Sequence, residues 1–358
     1  MPAYGTGNQP AAAVPSGGAA GFGTFNLPNF VGELFKLSPL ETPLLSMIGG
    51  MSGGMQIGAP LFTWQDTLHR APALTATDRS AIEGDDATFQ AQSRSERVNV
   101  AEIFQYGVEL TYTKQAATGL LGTAGGAGDT TPAIEAENIL GNQPVMDEMA
   151  WQLQIKLEQC ALDIEISFLT GTLAYPNDGT ARQTQGITGA ITDITQDTDV
   201  AADWSTAAPA VITGKQMINE TALALYDNGA PLSSNYVVMV GGASKLLIST
   251  DFQEGNGNIS PRSYNVFGVN VTDIETDFGK FPIALNRHLA AETVLFLNLD
   301  VMAPCFLPIP GKGHFFLEPL AKSGSYDRQQ LYGEIGLKYG PQGWHASVVN
   351  FDGVTASA

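Results

Sequence analysis

From Val98 to Tyr112 the even-numbered residues read Val98, Val100, Glu102, Phe104, Tyr106, Val108, Leu110 and Tyr112, apolar in every case but one. Side chains alternate across a strand, so this period-two run predicts a single long strand. At about 3.3 Å per residue it would reach on the order of 50 Å, well past an ordinary strand, and is expected to project beyond the body of the molecule. Its expected return partner is Leu61 to Asp66, and the connection from Thr67 to Arg97 is polar and carries both charge signs. The prediction is a two-stranded ribbon with a charged tip.

A ribbon of this kind is marginal alone, and the composition points the same way. Of 358 residues, 44% are hydrophobic and only 15% charged, which is poor in charge for a soluble monomer. Some of the surface is therefore expected to face other protein. The length exceeds the roughly 100 to 200 residues of a usual domain, so two packed domains or one elaborate fold are expected. Seventeen Lys and Arg against thirty-six Asp and Glu leave a net charge of −19, a field that repels phosphate and argues against sequence-independent nucleic-acid binding. The first 35 residues lack Lys and Arg, and the apolar stretch from Val294 to Leu307 is broken by Asn298 and Asp300. Neither an export signal nor a membrane span is expected.

Met1 to Thr24 is nearly all Gly, Ala, Pro and small polar residues, too little apolar surface to order itself. Phe25 to Pro60 reads as an irregular apolar strap lying across a protein surface. After the glycine-rich break Gly119 to Gly128 comes a long helix: Asn142 can cap it, Pro144 suits its first turn, and Val145, Met149, Leu153, Leu157, Ala161, Ile164 and Phe168 form an apolar stripe. Asp147, Glu148, Glu158, Asp163 and Glu165 are expected off that stripe, and Gly171 ends it. Thr213 can cap a helix through Tyr226 that closes at Asn228-Gly229; Tyr236 to Val240 reads as a buried strand, and Ala243 to Ser249 as a short helix. Toward the end Val294 to Leu299 and Phe315 to Leu317 read as strands. Leu331 to Tyr339 is expected to join Trp344 to Phe351 as a hairpin through Gly340-Pro341-Gln342-Gly343.

Nothing local encodes chemistry. His69, His288, His314 and His345 share no metal-binding spacing, and Cys160 and Cys305 form neither a C-x-x-C pair nor a disulfide framework. No Gly-x-Ser-x-Gly elbow marks a nucleophile. Gly122 to Gly128 is followed by Asp129-Thr130 where a phosphate loop needs a Lys and a hydroxyl. Asp85-Asp86 and the acids near Asp193 lack the ligand periodicity of a calcium loop. No catalytic, cofactor or metal residue is assigned, and no cofactor is expected.

The order of features is informative: apolar strap, charged-tipped ribbon, long helix, α/β middle, strand-rich return. It resembles the major capsid proteins of tailed bacteriophages. Thr42-Pro43-Leu44-Leu45-Ser46-Met47-Ile48-Gly49, Trp64-Gln65-Asp66-Thr67-Leu68, Ala81-Ile82-Glu83-Gly84-Asp85, Arg97-Val98-Asn99-Val100, Ile103-Phe104, and Asp163-Ile164-Glu165 followed by Gly171, Gly179-Thr180-Ala181-Arg182 and Gly186-Ile187 are similar to the SU-ten-like capsid family. The resemblance implies an α+β, Hong Kong 97-type subunit: N-terminal arm 1–57, extended loop 58–112, peripheral domain 113–185 with spine helix 144–170, axial domain 186–312 and a return 313–358. It further implies self-assembly into the icosahedral head of a double-stranded DNA phage, located in the virion and assembled in the host cytoplasm. The implied partners are other copies, as hexamers and pentamers, with portal, scaffold or decoration proteins as further candidates and DNA enclosed without sequence reading.

Within the ribbon, Trp64 is the expected apolar anchor between subunits, and Glu83, Asp85, Arg94 and Arg97 the expected charged partners. Leu61 to Thr113 contains no Lys, so the Lys–Asn cross-link of some relatives cannot use this loop. The rivals are an encapsulin-like nanocompartment, a tail-tube component and, from a different class, a soluble acidic hydrolase.

Overall fold

The computed structural model describes residues 40–67, 80, 83–84, 86, 93–114, 148–177, 179–198, 204, 212–232, 235–254, 273–322 and 324–351. The glycine-rich arm, the loop Gly119 to Gly128, the helix start at Asn142 and Pro144, and Asp85 lie outside them. The chain divides into two units. The first is Met1–Leu37 with Leu110–Trp151, where Lys114 and Glu148 form an ion pair of 2.7 Å. The second is Ser38–Glu109 with Gln152–Ala358, which contains the two hydrophobic cores discussed below.

The described part of the strap is largely irregular, with two short regular pieces. Pro43 opens a short helix, α1 (Pro43–Met47), at a position where its missing N–H is no loss, and the chain then turns through glycines into β1 (Met55–Gln56). Gly54 sits at φ 136°, and a side chain there would run into the backbone of Pro304. A ribbon forms on the expected first strand, but its partner starts earlier than expected and takes in Arg94 to Arg97 from the expected connection: β2 (Leu61–Thr67) pairs antiparallel with β3 (Arg94–Val100), from Leu61 opposite Val100 to Thr67 opposite Arg94.

The long strand, however, is two strands. Ala101 leaves the ladder, its N–H bonding the Pro60 carbonyl at 2.8 Å, and the chain resumes as β4 (Glu102–Thr111) on a different partner. In β4 the even-numbered Phe104 and Val108 are buried, but at the break Asn99, Val100 and Ala101 are all fully buried, so burial does not alternate there. The periodicity of side-chain type runs on through the break because it carries no information about who pairs with whom.

Helix α2 (Glu148–Thr170) ends where Gly171 was expected to end it. Ile164 and Phe168 are buried as the stripe predicts, but Leu157 is exposed and Glu165, expected outside, is fully buried. The chain continues through α3 (Ile187–Ala190), β5 (Thr195–Asp197) and α4 (Gly214–Asp227). Thr213 caps α4 as predicted, its hydroxyl accepting from the Gln216 N–H at 3.3 Å. Next come β6 (Tyr236–Val240), α5 (Gly242–Glu254), β7 (Asp273–Thr276), β8 (Gly279–Leu285) and β9 (Val294–Asn298). The last elements are β10 (Ala303–Phe306), β11 (Phe315–Pro319), β12 (Tyr326–Lys338) and β13 (Ala346–Val349).

Two sheets result. The six-stranded one runs β5-β13-β9-β6-β8-β7; the other runs β1-β10-β12-β11, with β4 also on β12. In β6 and β9 every residue is buried because alternate side chains serve different cores. Tyr236, Val238, Val240, Val294 and Phe296 join the core under α4, whereas Met239, Leu295 and Leu297 join the core formed with α1, α2 and β12.

The expected closing hairpin does not form. A single 3-10 turn, Gln342–Trp344, carries the chain from one sheet to the other, where β13 pairs antiparallel with β9 and parallel with β5. The turn residues mark where β12 stops without fixing where the next strand goes. Fully buried His345 bridges the change, taking the Asn298 N–H on Nδ1 at 3.2 Å and donating from Nε2 to the Tyr339 carbonyl at 2.6 Å.

Candidate functional site

The β2–β3 ribbon is held to the rest of the chain by one face. Phe62, Trp64 and Asp66 lie on one face of β2, half-buried, while Leu61, Thr63, Gln65 and Thr67 are exposed. Trp64 donates from Nε1 to the Gly340 carbonyl at 3.1 Å and meets Tyr339 edge-on, ring centroids 4.8 Å apart. Phe62 lies against Gly336 of β12, where a Cβ would come 2.8 Å from its ring.

Asn99 is the buried fastener of this root. Its amide nitrogen donates to the Leu337 carbonyl at 2.6 Å and to the Gln185 carbonyl at 3.2 Å; its oxygen accepts from the Val100 and Gln185 N–H groups, each at 2.8 Å. All its hydrogen-bonding capacity is used, so the end of β3 is tied to β12 and to the chain at Gln185. On the Trp64 face, Arg97 reaches diagonally to Asp66 at 3.2 Å. Arg94 is exposed and makes one long bond, 3.4 Å, to Gln65. Glu83 sits exposed in a turn. Trp64 and Arg97 thus share the ribbon's root, Arg94 marks its outer described end, and Asp85 lies outside the described residues.

A second fastener, missed in the sequence, is Glu165. Its carboxylate accepts from the Leu44 N–H at 3.0 Å, the Leu45 N–H at 2.7 Å and the Asn286 side-chain amide at 2.7 Å. Burial raises its pKa on balance, with these three donors opposing the rise in part. One signal was legible: an acid flanked by Ile164 and Ile166 in the last turns of a helix, where the dipole disfavours negative charge. Its partners, 120 or so residues away, were not.

An open groove of about 380 Å³ runs between β4 and α2, lined by Glu102, Phe104, Tyr106, Asp163, Ile166 and Ser167 among others. Tyr106 donates to Asp163, and burial with this bond pushes the phenol pKa up. Burial raises the Glu102 carboxyl, and the nearby Cys160 thiol is pushed up to about 12 by burial, so it stays a thiol at neutral pH. The groove therefore offers carboxylate acceptors, a fixed phenol and the Ser167 hydroxyl, which hydrogen-bonds Glu102. Among the described residues no group of three or more His, Cys, Asp and Glu side chains is placed to hold a metal ion, and no helix is long and apolar enough to cross a membrane.

Comparison with known proteins gives the arrangement a context. A family model described as SU10 major capsid protein matches residues 18–352. A search of curated proteins found no match. Among solved structures, the cyanophage A-1(L) capsid is similar at a TM-score of 0.56 and 10% identity, covering 91% of this chain and 97% of that one. The capsid of cyanophage P-SCSP1u gives 0.54 at 11% identity, covering 91% and 93%. The encapsulin complex from Synechococcus elongatus gives 0.51 at 10% identity, covering 93% and 94%. At such identities the structural likeness is one of fold.

Proposed function

The chain belongs to the SU10 major capsid protein family, and from that premise we propose how its copies join into a head shell. It is a major capsid protein of a tailed phage with the Hong Kong 97-type fold, and its place is the virion capsid, a lattice of repeated subunits. The match across almost the whole chain carries this reading.

In the proposed shell, pentamers and hexamers close an icosahedron, with the six-stranded sheet in the axial domain and α2 as the spine of the peripheral one. The ribbon lies on a neighbouring subunit. Trp64 and Arg97 hold it at its root and present their remaining surface to that neighbour, while Glu83, Asp85 and Arg94 meet charges there. The contacts are non-covalent, because no Lys lies between Leu61 and Thr113. Many modest contacts summed over a closed lattice suffice for strength. The net charge of −19 suits a wall along which packed DNA slides. The protein has no catalytic role in this reading, and portal, scaffold or decoration proteins are its remaining partners.

The fold it shares with the encapsulin from Synechococcus elongatus supports a second reading, a shell around protein cargo. Purified particles decide between them. The proposal expects double-stranded DNA inside and, after boiling in detergent, one band at monomer mass. Covalent ladders would overturn the non-covalent shell, and protein cargo in place of DNA would overturn the phage-head reading.

A further inference from the structure

We infer that Glu165 is the positioning residue for the segment Thr42–Met47: its buried carboxylate fixes that segment against α2 and the turn after β8, and so sets the one orientation in which it is presented for assembly. The inference rests on the reading of the chain as a self-assembling shell subunit.

Helix α1 has five residues, too few to hold itself in water. Leu44 and Leu45 are buried and supply its affinity for the core. Apolar contact is non-directional, however, and would tolerate rotation of so short a helix. Direction comes from Glu165. Its Oε1 takes the Leu44 N–H and the Asn286 amide, and its Oε2 takes the Leu45 N–H. All three partners are donors, the set that an acceptor-only carboxylate satisfies without a proton.

Asn286 is itself aimed. Its oxygen accepts from the His288 N–H at 2.8 Å, which turns its nitrogen toward Glu165 and the Met239 sulfur. The same turn grips the residue before α1's cap: Arg287 pairs with the Glu41 carboxylate at 2.9 Å, and His288 Nε2 lies 3.1 Å from the Glu41 carbonyl oxygen. From Glu41 to Leu45 the chain is fastened by Glu165, Arg287 and His288, with Asn286 holding Glu165 in place. A buried ionised group is a poor route to stability compared with an apolar residue of like volume. What it adds here is a unique orientation for two backbone amides that would otherwise be buried without partners.

The test uses the full chain carrying Glu165→Ala or Glu165→Gln, with Val348→Ala in the other core as a control for general destabilisation. Hydrogen exchange over residues 40–48 should speed up by about tenfold or more in Glu165→Ala, relative to the core strands, and less in Glu165→Gln, which keeps one acceptor oxygen. Shells from these variants should be broad or irregular in size, whereas Val348→Ala shells should be regular. If Glu165→Ala does not fold, Glu165→Gln carries the comparison. Unchanged exchange over 40–48, shells of wild-type uniformity from both variants, or the same defects in Val348→Ala would overturn the inference. Failure of the wild-type chain to form shells would instead overturn the assembly reading, and the wild-type control tells the two apart.

Discussion

At the scale of single residues, His345 shows how a polar group can serve as a structural joint. Full burial pushes its pKa down to about 4, so it is neutral in the folded subunit, with Nε2 carrying the proton it donates to Tyr339. The unfolded chain protonates near 6.5, so between these values the unfolded state binds more protons. The stability that neutral His345 contributes is complete above pH 6.5 and is lost as the pH falls toward 4, a span worth about 3 kcal/mol. Urea unfolding of dissociated subunits at pH 7 and pH 4 should show that loss in the wild type and a smaller one in His345→Gln. Equal losses would contradict the assignment. Residue-scale features were legible only where the partner is near in sequence. The Thr213 cap could be read because its bond spans three residues. Asn99 and Glu165 could not, because their partners lie about 80 to 240 residues away.

At the scale of elements, the ribbon and the helices were legible, and strand pairing was only partly so. The apolar alternation predicted one strand across Ala101, whereas β3 pairs with β2 and β4 with β12, and Asn99, Val100 and Ala101 are all buried where the two meet. The same limit explains β13: its apolar run was readable, its move to the six-stranded sheet was not. For the ribbon, the half-exposed Arg97–Asp66 pair contributes less than about 1 kcal/mol to folding. Arg97→Glu places two carboxylates together at the root and reverses a charge that the proposed shell sets against the neighbour. Subunit melting should hardly change while shell yield falls severalfold by sedimentation. A normal particle yield would contradict the role given to the ribbon.

At the scale of the whole molecule, low charge content and exposed large side chains such as Leu246 and Tyr226 describe a subunit made to be covered. The sequence carried this much because such features are compositional and periodic; the six-stranded sheet with a core on each face depends on long-range pairing that composition does not encode. The central claim is that copies of this chain complete one another in a closed shell. Negative-stain electron microscopy of the protein expressed alone tests it most directly: the account predicts hollow, closed particles of narrow size range, and well-ordered single subunits at every salt and concentration would contradict it.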